Sequence, residues 1–257
     1  MTCYSTLYAL YKRVQGALAR VASLALAMKK TEIAMSKSPK SPKFQSRCRL
    51  VLITPQIADV QILATTVGNA LKGGDVASVI IPQYDFDDDT FQAQAEAVVP
   101  LVQAAGAAAI IADNSRVAGR AKADGLHISG DVEALAEAVE KFTPKMIVGS
   151  GAARDRHHAL EAGDADPDYM FFGKLDGDIK PEAHSKNLAL GEWWSSMVEI
   201  PCIVMGGADP QSALAVAETG AEFAALSRAV FDDPEAAATV VAQVNALLDE
   251  KAPRFED

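Results

Sequence analysis

From residue 50 onward the chain is punctuated by eight short, almost uninterrupted apolar runs, each followed by a segment with helical spacing. They fall at residues 50–54, 76–81, 107–112, 125–128, 146–148, 169–172, 200–205 and 222–226. Strands apolar at both alternating positions have no solvent face, so the runs read as parallel strands covered on both sides. The pairs repeat about every 25 residues, and eight strand–helix pairs are the count of a closed (β/α)8 barrel. A chain of 257 residues also suits one such barrel, typically about 250 residues long. The predicted fold is therefore α/β, a single (β/α)8 TIM barrel over residues 47–257. An open doubly wound sheet is the alternative, but it rarely sustains so even a repeat over eight units.

The segment before the barrel has another character. Residues 1–46 hold eight Lys/Arg and one acid, Glu32, whereas the remainder holds 16 basic and 33 acidic residues. Apolar positions Leu7, Leu10, Val14, Leu18 and Val21 have helical spacing, and Ser36–Lys43 is a Ser/Pro/Lys tract too polar to order itself. This extension resembles a transit peptide or an interfacial helix. Equally open is the reading in which Met35 is the start and the first segment is an over-long gene product. The acidic body argues against nonspecific nucleic-acid binding, which needs a basic face. No apolar run reaches the roughly 18 residues of a membrane span. Cys3, Cys48 and Cys202 form no CxxC or framework pattern, so neither a zinc site nor disulfides are expected and a cytoplasmic setting fits.

In a barrel the chemistry sits at the C-terminal ends of the strands. Gly206-Gly207 ends the seventh strand and Ser227-Arg228 the eighth. Glycine lets backbone N–H groups approach an anion, and a hydroxyl with a guanidinium suits phosphate oxygens. The plainer alternative is a tight strand-to-helix turn. Asp113 and Asp131 come from neighbouring strands and can share one Mg²⁺ with water and a substrate phosphate, or each can cap its own helix. His127 is a candidate general base or phosphate donor, or a hydrogen-bonded structural residue. Ser150 and Gly173, which end strands five and six, are further candidate substrate-binding residues. Lys174, Lys180 and Lys186 supply the sixth loop, residues 174–187, with cations able to fold over an anion. His157 and His158 lie within a helix and read as surface residues, and the acids at 85–89 read as a helix cap.

Five segments resemble the thiamine phosphate synthase and TenI-like barrels. Arg49-Leu-Val-Leu-Ile-Thr54 is similar to their opening strand, and Ala123-Asp-Gly-Leu-His-Ile128 to their ADGVHL segment. Asp168-Tyr-Met-Phe-Phe-Gly173 is similar to their DYxxxG strand and Val204-Met-Gly-Gly207 to their AIGG segment. Ala224–Val230 resembles their last strand and the Ser after it. The likeness covers residues 49–231 in unbroken order.

That resemblance implies joining of hydroxymethylpyrimidine diphosphate to a thiazole phosphate, with Mg²⁺ and release of pyrophosphate. It places the metal ligands on Asp113 and, one residue out of register, Asp131. It places phosphate contacts on Gly206, Gly207 and Ser227. The family's QLRxK segment, which supplies cations to the diphosphate, is replaced here by Ile80-Ile-Pro-Gln-Tyr84. The Asn before the family's Asp is Ala112. The GPxxxTxTK loop becomes Gly173-Lys-Leu-Asp-Gly-Asp-Ile-Lys-Pro-Glu-Ala-His-Ser-Lys186, in which Lys186 or Lys180 takes over the family's Lys. Two other readings stay open: a non-catalytic TenI-like or regulatory barrel binding a phosphorylated thiazole or thiamine phosphate, and another phosphate-binding barrel, such as an isomerase using His127 and Asp113. In each, the partners are small phosphorylated molecules, and homo-oligomeric assembly is compatible.

Overall fold

The computed structural model describes residues 47–255 except Ala152. The expected N-terminal helix and Ser/Pro/Lys tract therefore lie outside the described residues. Residues 46–257 form one compact unit. Its strands are β1 (Arg49–Ile53), β2 (Ser78–Ile81), β3 (Ala108–Ala112), β4 (Gly125–Ile128), β5 (Ile147–Ser150), β6 (Tyr169–Phe172), β7 (Cys202–Met205) and β8 (Phe223–Leu226). All neighbours are parallel and β8 pairs with β1, so the sheet closes into a barrel in sequence order. The helices are α1 (Val60–Ala70), α2 (Asp88–Ala104), α3 (Ser115–Ala121), α4 (Val132–Phe142), α5 (Arg156–Gly163), α6 (Ser185–Met197), α7 (Ser212–Ala217), α8 (Arg228–Phe231) and α9 (Ala237–Lys251).

Alternation along each strand separates two apolar layers. Leu50 and Leu52 face the helices with Val79, Ile81, Leu126 and Val204. Val51 and Ile53 face the barrel axis with Ile80, Ile110, Tyr169 and Phe171. The interior is filled unevenly. Tyr169 of β6 is bulky, and a Cβ added to Gly149 of β5 would fall 1.9 Å from its ring. Ring volume on β6 is thus matched by an absent side chain on β5, as close packing requires.

Local chemistry moves several element ends from their predicted places. The seventh apolar run begins at Ile200, yet β7 starts at Cys202, because Pro201 has no N–H to give a ladder. Asp59 accepts the N–H groups of Gln61 and Ile62, which fixes the start of the first helix at Val60. After β7, Asp209-Pro210 forms a turn, with Ser212 N–H donating to Asp209 C=O, and α7 begins only at Ser212. The short α8 after β8 was not predicted.

At the N-terminal end, carboxylates lock alternate strand pairs. Asp124, just before β4, donates its N–H to Ala109 C=O and accepts Ala109 N–H at 2.8 Å. Asp168, before β6, forms the same two-bond clamp on Val148. Glu222, before β8, accepts Cys202 N–H at 2.8 Å. The Arg49 guanidinium pairs with Asp75 at 2.6 and 2.9 Å. Arg47 is wholly buried, bonded to Asp249, Asn245 and Cys48 C=O, and ties the start of the barrel to α9.

Candidate active site

The C-terminal rim divides into an open part over β4–β6 and a covered part over β7 and β8. The open part is a cleft of about 1050 Å³ lined by His127, Ser129, Asp131, Gly151, Gly173 and Lys174, among others. His127 forms its floor. The ring is 1% exposed, shares a 2.9 Å hydrogen bond between Nδ1 and the Tyr169 hydroxyl, and meets Phe171 edge-on. A Cβ on Gly151 would lie 2.4 Å from Nε2, so that glycine makes room for the ring. Burial pulls the His127 pKa down to about 4, against a smaller opposing pull from Asp113. At neutral pH the imidazole is therefore uncharged, a hydrogen-bonding group rather than a cation for phosphate. Burial likewise pushes the Tyr169 phenol upward and keeps it protonated.

Asp113 and Asp131 stand on the exposed rim beside this cleft. Asp131 caps α4 through Ala134 N–H at 2.9 Å. Asp113 does not cap α3; Asn114 does so through Val117 N–H. Asp113 sits instead in the left-handed region, φ +56°, donates its N–H to His127 C=O and accepts Ser129 N–H at 2.7 Å. It bridges the ends of β3 and β4. Among the described residues, no three His, Cys, Asp or Glu side chains converge as a closed metal cage. Two carboxylates of hard oxygen donors, with the rest of the shell from water and phosphate, still match what Mg²⁺ usually takes.

The covered part differs from expectation. Gly206 N–H donates to Ala225 C=O, and Gly207 N–H to the Ser212 hydroxyl at 2.9 Å. The glycine N–H groups are thus spent within the fold. The N–H groups turned toward an anion belong to Ser227 and Arg228, and both donate to Asp178 Oδ2, at 3.2 and 2.5 Å. The Arg228 Nε is 4.0 Å from the other oxygen. Ala208 and Asp209 N–H groups donate to the carbonyls of Lys180 and Pro181 at 2.8 and 3.0 Å. Gly207 accommodates this loop, because a Cβ there would fall 2.1 Å from Pro181 O.

The remaining candidates fall as follows. Ser150 is buried at the end of β5. Gly173 has φ +141°, and a Cβ on it would meet Met205 Cβ at 2.5 Å. Lys174 lines the cleft. Lys180 meets the covered part through its backbone. Lys186 is not on a loop: His184 caps α6 through Lys186 N–H at 3.2 Å, so this lysine lies in the first helical turn. His157 and His158 lie on α5, with Asp155 as its cap. Asp87 caps α2 as the acidic segment implied. At the end of β2, Tyr84 donates its hydroxyl to Thr54 C=O at 2.6 Å from a left-handed backbone, φ +49°. Tyr84, Tyr169, Ser212 and Asp178 escaped the sequence reading. Ser212 and Asp178 meet partners that no local spacing reveals, while Tyr169 lay inside a recognised segment and read only as core.

Comparison with known proteins now identifies the lineage. The family model described as thiamine monophosphate synthase matches residues 50–230. The thiamine-phosphate synthase of Rhodospirillum centenum is 34% identical over 203 residues, covering 78% of this chain and 98% of that protein. That of Hyphomonas neptunium is 32% identical over 217 residues, covering 80% and 96%. Among solved structures, thiamine phosphate pyrophosphorylase from Pyrococcus furiosus has a TM-score of 0.66 at 21% identity, covering 79% of this chain and 96% of that one. The closed eight-stranded barrel and a match running from β1 into α8 agree: this chain belongs to the thiamine monophosphate synthase family.

Proposed function

We propose that the protein is a transferase of the thiamine phosphate synthase type, joining hydroxymethylpyrimidine diphosphate to a thiazole phosphate with release of pyrophosphate. The observation that carries this reading is the pair of N–H groups on Ser227 and Arg228, which hold a carboxylate oxygen of Asp178 at the strand end where the resemblance implies a phosphate contact through Ser227. Consecutive backbone donors of this kind bind a phosphate oxygen as they bind a carboxylate. The open cleft beside them takes the pyrimidine and its diphosphate. Asp113 and Asp131 would hold Mg²⁺, which when bound neutralises charge on the departing diphosphate. Neutral His127, fixed by Tyr169, orients a ring or hydroxyl of the substrate by hydrogen bonding. Lys174 at the cleft and Lys186 on α6 supply cations to the diphosphate as point charges that need no bidentate geometry.

Tyr84 stands where relatives of this type carry cations, and its hydroxyl is already engaged. Each lost charge-assisted contact costs about 1.5–3 kcal/mol, so turnover is expected to be slow. The same feature favours a second reading, a non-catalytic barrel that binds a phosphorylated thiazole or thiamine phosphate. Pyrophosphate release from the two substrates across a Mg²⁺ titration decides between them. Release that depends on Mg²⁺ supports the transferase, whereas binding of thiazole phosphate without release at any Mg²⁺ concentration supports the binding protein.

A further inference from the structure

The loop between β6 and α6 puts one of its own carboxylates where the proposed phosphate would sit. Asp178 is 2% exposed, whereas the next residue, Ile179, is 73% exposed. The loop thus turns one acidic side chain inward and leaves its apolar neighbour in water, the reverse of what burial energetics alone would choose. The inward carboxylate is held by the N–H groups of Ser227 and Arg228, with the half-exposed Arg228 side chain alongside. The loop backbone is pinned on the same side by Ala208 and Asp209, over a Gly207 that has no side chain to hold it off. A carboxylate oxygen and a phosphate oxygen cannot occupy these two donors together.

We propose that Asp178 is an intramolecular plug of the phosphate cup, so that a phosphorylated ligand enters only as the β6–α6 loop withdraws this carboxylate. The inference rests on the proposed function, since it takes the cup to be the phosphate site. A tethered competitor acts at high effective concentration. Apparent affinity for the ligand then falls by the fraction of molecules in which the cup is free. Asp178 therefore sets affinity for the phosphate end of the substrate, and the unphosphorylated thiazole alcohol, which has no group for the cup, is insensitive to it.

The test measures binding of thiazole phosphate and thiazole alcohol to the intact chain, to Asp178→Ala and to Asp178→Asn by titration calorimetry. Removing a plug closed in nine molecules of ten makes thiazole phosphate bind roughly tenfold tighter to Asp178→Ala. Asp178→Asn keeps the shape and one acceptor but loses the charge, so a gain of about threefold is expected; this variant decides if the Ala protein does not fold. The alcohol binds all three proteins alike. If the parent prefers the phosphate to the alcohol but neither variant binds it more tightly, the plug is overturned and the phosphate cup stands. If no protein distinguishes phosphate from alcohol, the cup itself fails, and the plug with it.

Discussion

The two ends of the barrel use carboxylates in the same way chemically and for opposite purposes. At the N-terminal end, Asp124, Asp168 and Glu222 each accept an N–H from the preceding strand and lie between packed segments. At the C-terminal end, Asp113, Asp131 and Asp178 also accept backbone N–H groups, but those of loops and helix starts. The first set closes the sheet. The second borders a cleft and a cup: at the cleft one backbone hydrogen bond orients each of the exposed Asp113 and Asp131 carboxylates, while at the cup two N–H groups hold the buried Asp178 carboxylate. A carboxylate bound to backbone is therefore no guide to its role until its end of the barrel is known, in line with the general division of such barrels into a stability face and a chemistry face.

The contrast breaks most sharply at Asp113. Asparagine tolerates the left-handed backbone and can still accept Ser129 N–H, so Asp113→Asn should keep the melting curve while turnover falls by about a hundredfold or more, the scale seen when one charged stabiliser of a transition state is lost. Unchanged turnover would move the metal elsewhere. At the opposite end, Asp124→Ala leaves Ala109 N–H buried without its partner. Denaturant unfolding should show a loss of about 2 kcal/mol, with KM and kcat of the remaining folded enzyme as in the parent; a kinetic defect at equal stability would erase the distinction between the ends. Lys186→Ala is expected to slow turnover by roughly tenfold, or about 1.4 kcal/mol in the barrier, with stability unaltered because the side chain is exposed on the first turn of α6. The smallest effect belongs to the extension. Deleting residues 1–46 should change the unfolding free energy by less than about 0.5 kcal/mol, since the Ser36–Lys43 tract has too little apolar content to pack. Loss of soluble protein on deletion would make the extension part of the fold.

The barrel was readable because its strands are apolar on both faces and evenly spaced. That pattern constrains topology without any knowledge of partners. Element ends were less legible where a single atom decides them, as Pro201 does for β7 and the Asp59 carboxylate for α1. Among site residues, the rim positions of Asp113, Asp131, His127 and Gly173 followed from lying at strand ends. What those residues touch did not follow. At His127 a sequence does not show that Tyr169, 42 residues away, shares its Nδ1, or that burial holds the ring neutral. Gly206 and Gly207 read as phosphate donors, yet Ala225 and Ser212 take their N–H groups. Asp124 and Asp168 sat inside the two most recognisable segments and prove to be strand clamps. Asp178 lies 49 residues before Ser227 in a polar loop, where neither spacing nor composition marks one acid among several.

Closure of β8 onto β1 leaves the sheet with no free edge, and this has a consequence for how such a chain can diversify. With the scaffold complete in itself, the segment from Lys174 to Ala183 can lengthen or change its composition without altering a single ladder bond. Doubling a loop costs only about 0.6 kcal/mol in closure entropy. Inheritance is thereby split along the barrel axis: the strands keep the record of ancestry, and the connections above them are free to be rewritten, so that a new ligand preference can arise in one loop while the molecule goes on folding as its relatives do.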